Sequence, residues 1–129
     1  MGCACSGTIF MPPENPCIPV NTMLMKTRDG NNIPIKYINL GYKYTIVVSH
    51  GNAEDIVKLE EWILTEFLHI VKANVLLYEY SGYLDNTVSP SEKFVYSDCE
   101  SALWFLTDIL RVPRQRIVLY GRSLGSGPT

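Results

Sequence analysis

A serine between two glycines near the end of the sequence has the residue types of an activated nucleophile. Gly121, Ser123 and Gly125 follow the strand-like run 116–120 and open a segment that can form a helix. On a sharp strand-to-helix turn the serine oxygen projects from the sheet, and the glycines avoid steric collisions. The N–H of Leu124 then points toward the position of a tetrahedral oxyanion. The pattern predicts Ser123 as a nucleophile; a phosphate-binding glycine turn or a plain tight connection are the alternatives.

A second segment, Ser-His-Gly-Asn-Ala at 49–53, has the composition of an oxyanion-binding turn. A loop between strand and helix at this place supplies the other oxyanion N–H, and Gly51 lets the backbone approach the reaction centre. We expect Asn52 to be this donor, with Ala53 as the alternative. His50 precedes the serine, whereas such triads run Ser, then Asp or Glu, then His, so we interpret His50 as a loop-organising residue.

Alternating strand and helix signals place these two turns in an α/β fold. Periodicity and residue type predict strands at 33–39, 44–49, 75–80 and 116–120, of which 44–49 and 116–120 are expected to be buried, and helices at about 55–72 and from Ser89 onward. Ser89 is expected to be an N-cap, followed by Pro90 at the first helical position and Glu92 in a capping box. Pro34 places its strand near a start or an edge. This alternation indicates β-α-β units and a mostly parallel sheet.

Composition narrows the class of protein. The length of 129 residues fits one domain. The net charge of −2 offers no basic surface to bind nucleic acid. No apolar run approaches the ~20 residues of a membrane-spanning helix. The four cysteines lack metal-ligand spacing and no secretory signal is present. We therefore expect a reducing compartment, Cys99 as a small core residue, His69 as a partly exposed helix residue, and no metal or cofactor.

The first residues match a lipidation motif. Met-Gly-Cys-Ala-Cys-Ser at 1–6 fits the pattern for N-myristoylation of Gly2 once Met1 is removed. One myristoyl chain binds membranes only marginally, and palmitoylation of Cys3 or Cys5 would supply the second signal. An unmodified flexible terminus is the alternative. We expect a lipidated, proline-rich segment over 1–19 and a partial hydrolytic domain over 20–129.

Several motifs in one order resemble the alpha/beta hydrolase domain-containing protein 17 family and its plant and protist relatives. The resemblance covers nearly all of residues 9–129. The segments that carry it are Phe10-Met11-Pro12-Pro13, residues 49–55 (SHGNAED), 78–83 (YEYSGY), 90–92 (PSE) and 119–129 (LYGRSLGSGPT). Two positions depart from the family: Glu79 stands where Asp is common, and Leu84 where Gly is common.

The resemblance implies a serine hydrolase that removes S-linked fatty acyl chains from membrane-associated proteins. It implies Ser123 as the nucleophile and a fold that is the N-terminal part of an α/β-hydrolase, truncated after the nucleophile turn. Acylated membrane proteins would be the substrates. We expect the protein to be lipid-anchored at the cytoplasmic face of a plasma or endosomal membrane.

The family's catalytic Asp and His lie beyond the nucleophile turn, whereas only residues 124–129 follow Ser123. We therefore expect this chain by itself to be inactive, and its complete form to be an acyl-protein thioesterase. A lipid esterase or a serine peptidase on the same fold is one alternative. A truncated, non-catalytic, membrane-tethered protein is the other.

Overall fold

The computed structural model describes Phe10, Pro12 and residues 19–83 and 88–129. The strands are β1 (Met23–Lys26), β2 (Asn32–Ile38), β3 (Thr45–Ser49), β4 (Asn74–Tyr78) and β5 (Ile117–Gly121). The helices are α1 (Ile56–Trp62), α2 (Leu68–Ile70) and α3 (Glu92–Trp104). Two π-helical turns, Ile63–Phe67 and Phe105–Ile109, continue α1 and α3, and 3₁₀ turns occupy Arg114–Arg116 and Ser123–Ser126.

The strands form one sheet in the order β1-β2-β4-β3-β5. Strand β3 is parallel to β4 on one side and to β5 on the other, and Ser49 at its end lies opposite Gly121. The loops after β3 and β5 therefore leave the same edge of the sheet side by side, where α/β proteins place their sites. The mostly parallel sheet with flanking helices that the sequence predicts is confirmed.

Strands β1 and β2 add an antiparallel hairpin to the parallel part. Strand β2 pairs with β4 from Ile35 onward, and β1, which the sequence pattern did not reveal, covers its other side. Pro34 lies just before the pairing with β4 begins, so the absence of its N–H removes no hydrogen bond between β2 and β4. The expectation of a strand start near Pro34 agrees with this position.

The alternating side chains of the central strands pack against helices on both faces. In β3, Ile46 and Val48 join the cluster formed with α1, whereas Val47 joins the cluster formed with α3. Cys99 of α3 is a free, buried thiol in the second cluster, as the sequence predicts. Every residue of β3 and β4 is buried, and the coverage of both faces explains why the central residues of these strands are apolar.

The structure corrects two predicted details. Helix α3 begins after Ser91, whose Oγ accepts from the N–H of Phe94 at 3.2 Å, so the predicted capping box on Ser89 is wrong. Ser91 is the residue with extended backbone, and Glu92 takes the first helical position, where the helix dipole favours an acid. The predicted burial of β5 is also wrong: among the described residues it pairs only with β3, and Val118 is 47% exposed.

Candidate active site

Ser123 lies immediately beyond β5 in a strained backbone conformation. Its φ is 51°, in the left-handed region that non-glycine residues rarely adopt, while Arg122 before it is extended. Such a residue costs about 1–3 kcal/mol and persists only where its surroundings hold it. The side chain is exposed at the edge of the sheet, and the chain continues as the 3₁₀ turn Ser123–Ser126. This is the geometry of a sharp turn that presents a serine oxygen.

Close packing explains the two glycines that flank the serine. A Cβ at Gly125 would lie 2.1 Å from the carbonyl oxygen of Ser49, and one at Gly121 would lie 2.3 Å from the carbonyl oxygen of Gly125. Both contacts are to backbone atoms and far shorter than any real Cβ contact. The spacing of the motif thus follows from the approach of the turn to the end of β3.

Leu124 is the second residue of the turn Ser123–Ser126, a position suited to donate to a ligand. The N–H of Gly125 is bonded to the carbonyl of Arg122 at 2.9 Å, and that of Gly127 to the carbonyl of Leu124 at 3.2 Å. The first N–H groups of a helical turn have no partner within it. The predicted oxyanion donor Leu124 therefore stands next to Ser123 at the start of such a turn.

The turn at 50–53 adjoins the serine turn. A Cβ at Gly51 would lie 3.8 Å from the carbonyl oxygen of Arg122, so the backbones run close together at this point. The side-chain Oδ1 of Asn52 accepts from the hydroxyl of Tyr83 at 2.6 Å, and Ala53 is exposed. The sequence-predicted residues Asn52, Ala53, Leu124 and Ser123 thus all lie at one edge of the sheet, beyond β3 and β5.

His50 is completely buried and is held by acceptors at both ring nitrogens. Its Nδ1 lies 2.7 Å from the carbonyl oxygen of Gly51, and its Nε2 contacts Oε1 of Glu79. Burial lowers the pKa of His50, but the Glu79 carboxylate outweighs it, so the pKa lies above its ordinary value. A histidine whose two N–H groups are both engaged cannot take a proton from a serine. The geometry agrees with a loop-organising role.

Glu79 connects the turn at 50–53 to the buried core. Its Oε2 accepts from the N–H of Ile56 at 2.9 Å, and its Oε1 accepts from the N–H of Tyr80 at 2.9 Å as well as contacting His50. The hydroxyl of Tyr80 in turn donates to the carbonyl of His50 at 2.6 Å. Sequence reasoning noticed Glu79 only as a departure from the family, because its partners are distant along the chain.

The second histidine lies elsewhere. His69 is exposed in α2, which is followed within a few residues by the first residue of β4, Asn74. The beginning of β4 lies at the sheet edge opposite to the one that carries Ser123, because β3, β4 and β5 are parallel. His69 is therefore remote from the serine, in keeping with its interpretation as a surface helix residue.

An apolar pocket of about 220 Å³ adjoins the serine turn. It is lined by Leu124, Gly127 and Pro128, by Glu92, Val95 and Tyr96 of α3, and by Phe10. The placement of Phe10 brings a residue of the N-terminal segment next to the candidate site.

Several residues singled out in the sequence, among them four that carry predictions, lie outside the described part of the chain. The four are the lipidation candidates Gly2, Cys3 and Cys5 and the loop residue Leu84. Within the described residues, no helix has both the length and the apolar character needed to cross a membrane.

Comparison with curated proteins identifies relatives. The chain is 34% identical to alpha/beta hydrolase domain-containing protein aho-3 of Caenorhabditis elegans over 112 residues, which are 85% of this chain and 33% of that protein. Over the same length it is 30% identical to human alpha/beta hydrolase domain-containing protein 17B and 38% identical to protein 17C of Xenopus tropicalis, covering 38% and 36% of them. The chain thus spans about a third of the length of these relatives. No family model matches it.

Solved structures agree on the fold. An esterase of Pyrococcus furiosus superposes with a TM-score of 0.69 at 19% identity, over 92% of this chain and 48% of the esterase. A hydrolase of Pseudomonas aeruginosa superposes with a TM-score of 0.61 at 23% identity, over 82% of this chain and 38% of that protein. The chain belongs to the α/β-hydrolase superfamily and is a relative of the alpha/beta hydrolase domain-containing 17 proteins.

Proposed function

We propose that the complete protein containing this chain is a serine hydrolase that removes S-linked fatty acyl groups from membrane-associated proteins, with Ser123 as its nucleophile. The observation that carries the proposal is the left-handed backbone of Ser123 directly beyond β5, where a Cβ at Gly125 would collide with Ser49. A strained turn of this kind is retained where an exposed oxygen must be presented to a substrate.

The proposed reaction has two halves. The Ser123 oxygen attacks the thioester carbonyl and loses its proton to a base, which places negative charge on the carbonyl oxygen. The N–H groups of Leu124 and of Asn52, or Ala53 in its place, stabilise that charge. Collapse of the intermediate breaks the carbon–sulfur bond and releases the cysteine thiol of the substrate after protonation. Water then hydrolyses the acyl-serine ester, which releases the fatty acid and regenerates Ser123.

The base and its orienting acid belong, in this proposal, to the part of the protein that corresponds to the remaining length of the relatives. Neither histidine of the chain fits the role, because both nitrogens of His50 are engaged and His69 lies at the opposite edge of the sheet. Serine at its free pKa is a weak nucleophile, so this chain alone should react slowly.

The apolar pocket beside Leu124 supports an acyl group as the part of the substrate that is recognised. Its lining by Phe10, Val95, Tyr96 and Pro128, with Glu92 as the one charged residue, offers mostly apolar surface beside the serine turn. Burying an alkyl chain there would gain about 0.8 kcal/mol for each methylene removed from water.

The proposed anchor brings enzyme and substrate to one surface. Myristoylation of Gly2 with palmitoylation of Cys3 or Cys5 would hold the protein at the cytoplasmic face of a membrane, since two lipid signals give stable binding where one does not. Acylated membrane proteins would then be the partners that it meets.

The test uses the complete gene product that contains this sequence. A serine-directed fluorophosphonate probe should label it, Ser123→Ala should abolish labelling, and the exposed Ser89→Ala should not. Equal labelling of the Ser123→Ala variant would overturn the assignment. Hydrolysis rates for an S-acyl cysteine peptide, an O-acyl lipid ester and an unacylated peptide then separate a thioesterase from a lipid esterase and a peptidase. Absence of labelling and of all three activities would favour a non-catalytic tethered protein.

A further inference from the structure

One carboxylate bridges the two turns of the candidate site. Glu54 accepts from the N–H of Gly51 through Oε2 at 3.2 Å, and its Oε1 lies 2.9 Å from Nη2 of Arg122. Gly51 belongs to the turn after β3, whereas Arg122 is the residue immediately before Ser123. Glu54 therefore contacts the backbone of one turn and the side chain of the other.

Arg122 is held on a second side by an aromatic group. Its guanidinium carbon lies 4.8 Å from the ring centroid of Trp62 in α1, an arrangement in which the ring face attracts the cation. The ring of Trp62 stacks on Tyr120 of β5 at 6.2 Å between centroids. The planar guanidinium thus has an ion pair at one end and a ring against its surface, which restricts where it can lie.

We propose that Glu54 and Arg122 are positioning residues that act as one unit, fixing the turn at 50–53 relative to Ser123. The inference rests on the proposed role of Ser123 as nucleophile. Glu54 holds the N–H of Gly51 and pairs with Arg122, so the ion pair sets the distance between the turn at 50–53 and the serine turn. Oxyanion donors are effective only within a few tenths of an ångström of their productive position.

The exposure of the pair indicates where its effect should appear. The side chains of Arg122 and Glu54 are 37% and 27% exposed, and ion pairs near the surface contribute little to global stability. Losing the pair should therefore leave the protein folded while loosening the two turns. Salt should weaken the pair in the wild type and have no such effect where the pair is absent.

The experiment compares Glu54→Gln and Arg122→Gln with Glu61→Gln, which removes an exposed carboxylate of α1. Hydrogen exchange at Gly51, followed by mass spectrometry of the complete gene product, should become about tenfold faster in both variants of the pair and stay unchanged in the control. The rate of fluorophosphonate labelling of Ser123 should fall about tenfold in the same two variants. The double variant Glu54→Arg with Arg122→Glu should recover part of the labelling rate.

Arg122→Gln is the decisive variant, because the side chain that it removes pairs with Glu54, and Glu54 is the group that accepts the N–H of Gly51. Unchanged exchange in this variant would overturn the inference, and so would unchanged labelling in a protein whose wild type is labelled. A wild type that is not labelled at all refutes the proposed function. Faster exchange at Gly51 in Arg122→Gln would still establish the connection between the turns, so the two failures are distinguishable.

Discussion

The imidazole of His50 and the carboxylate of Glu79 are in contact and fully enclosed by the protein. The carbonyl of Gly51 can only accept a hydrogen bond, so Nδ1 of His50 must carry a proton. Nε2 faces a carboxylate oxygen that also accepts from Tyr80, which favours a proton there as well. The raised pKa of His50 follows from this pairing in spite of the burial, which lowers the pKa. The site thus contains an ion pair that organises backbone rather than performing proton transfer.

Glu79→Gln should destabilise the protein by about 3 kcal/mol, because a buried pair loses one partner. An amide cannot replace the carboxylate, because one of its two oxygen positions becomes an NH₂ donor. In one orientation the N–H of Ile56 loses its acceptor, and in the other the N–H of Tyr80 does. Urea denaturation at pH 7 measures the change in the free energy of unfolding. Glu100→Gln, which breaks the exposed pair with Arg28, is the control and should cost less than 1 kcal/mol. Equal losses in the two variants would contradict the role of Glu79.

Asp98 should make stability depend on pH in the acidic range. Burial raises the pKa of Asp98 from 3.8 to about 6, against two hydrogen bonds from Ser81 that lower the pKa. The folded state therefore favours the protonated acid. Its contribution to stability is complete below pH 3.8 and is lost as the pH rises to about 6, a difference of about 3 kcal/mol by linkage.

Asp98→Asn removes this titration. The stability of the variant relative to the wild type should therefore rise between pH 4 and pH 6.5, and denaturation at a series of pH values measures the difference. Asp108→Asn changes an exposed carboxylate just beyond the same helix and should run parallel to the wild type. A constant difference between Asp98→Asn and the wild type across this range would refute the assignment.

The sequence predicts the local features of the site better than the contacts between residues that are distant along the chain. The glycine spacing around Ser123 expresses a steric demand that can be recognised from five consecutive residues, and the strands before both turns are apolar runs. The ion pair between Glu54 and Arg122 could not be foreseen, because the register of β3 and β5 brings the two turns together. The same holds for His50 and Glu79, which meet through the pairing of β3 with β4.

The errors have similarly local causes. Ser89 and Ser91 both precede α3, and the sequence allows either to be its N-cap. In the structure Ser91 has the extended backbone of an N-cap. A Cβ at Gly82 would lie 2.8 Å from Pro90, so the chain before the helix packs against the turn after β4. Strand β1 was not predicted because it is short and shows no clear alternation. It has four residues, Met23–Lys26, of which one is buried.

Gly2→Ala should release the protein from membranes if the N-terminal segment is anchored as proposed. Loss of the myristoyl chain removes the first contact on which palmitoylation of Cys3 and Cys5 depends, so both signals disappear together. Replacing the two cysteines should instead leave weak, partly reversible binding through one chain. Sedimentation with membranes after expression in cells distinguishes these cases, with Gly7→Ala as the control outside the modified position. Full sedimentation of Gly2→Ala would refute the two-signal anchor.

Gly125→Ala should disrupt the serine turn, whereas Gly127→Ala should not. The methyl group at 125 would lie 2.1 Å from the carbonyl oxygen of Ser49, so the turn must move away from the end of β3 at a cost of about 1–3 kcal/mol or more. At 127 the nearest atom would be the carbonyl oxygen of Leu124 at 3.5 Å, an ordinary contact, and the backbone φ of −62° suits alanine. There the loss of glycine flexibility should leave stability unchanged or raise it by about 0.5 kcal/mol. Thermal unfolding measures the first effect, and fluorophosphonate labelling of the complete protein measures the displacement of Ser123. Normal labelling in Gly125→Ala would mean that the approach of the turn to Ser49 does not hold the serine in place.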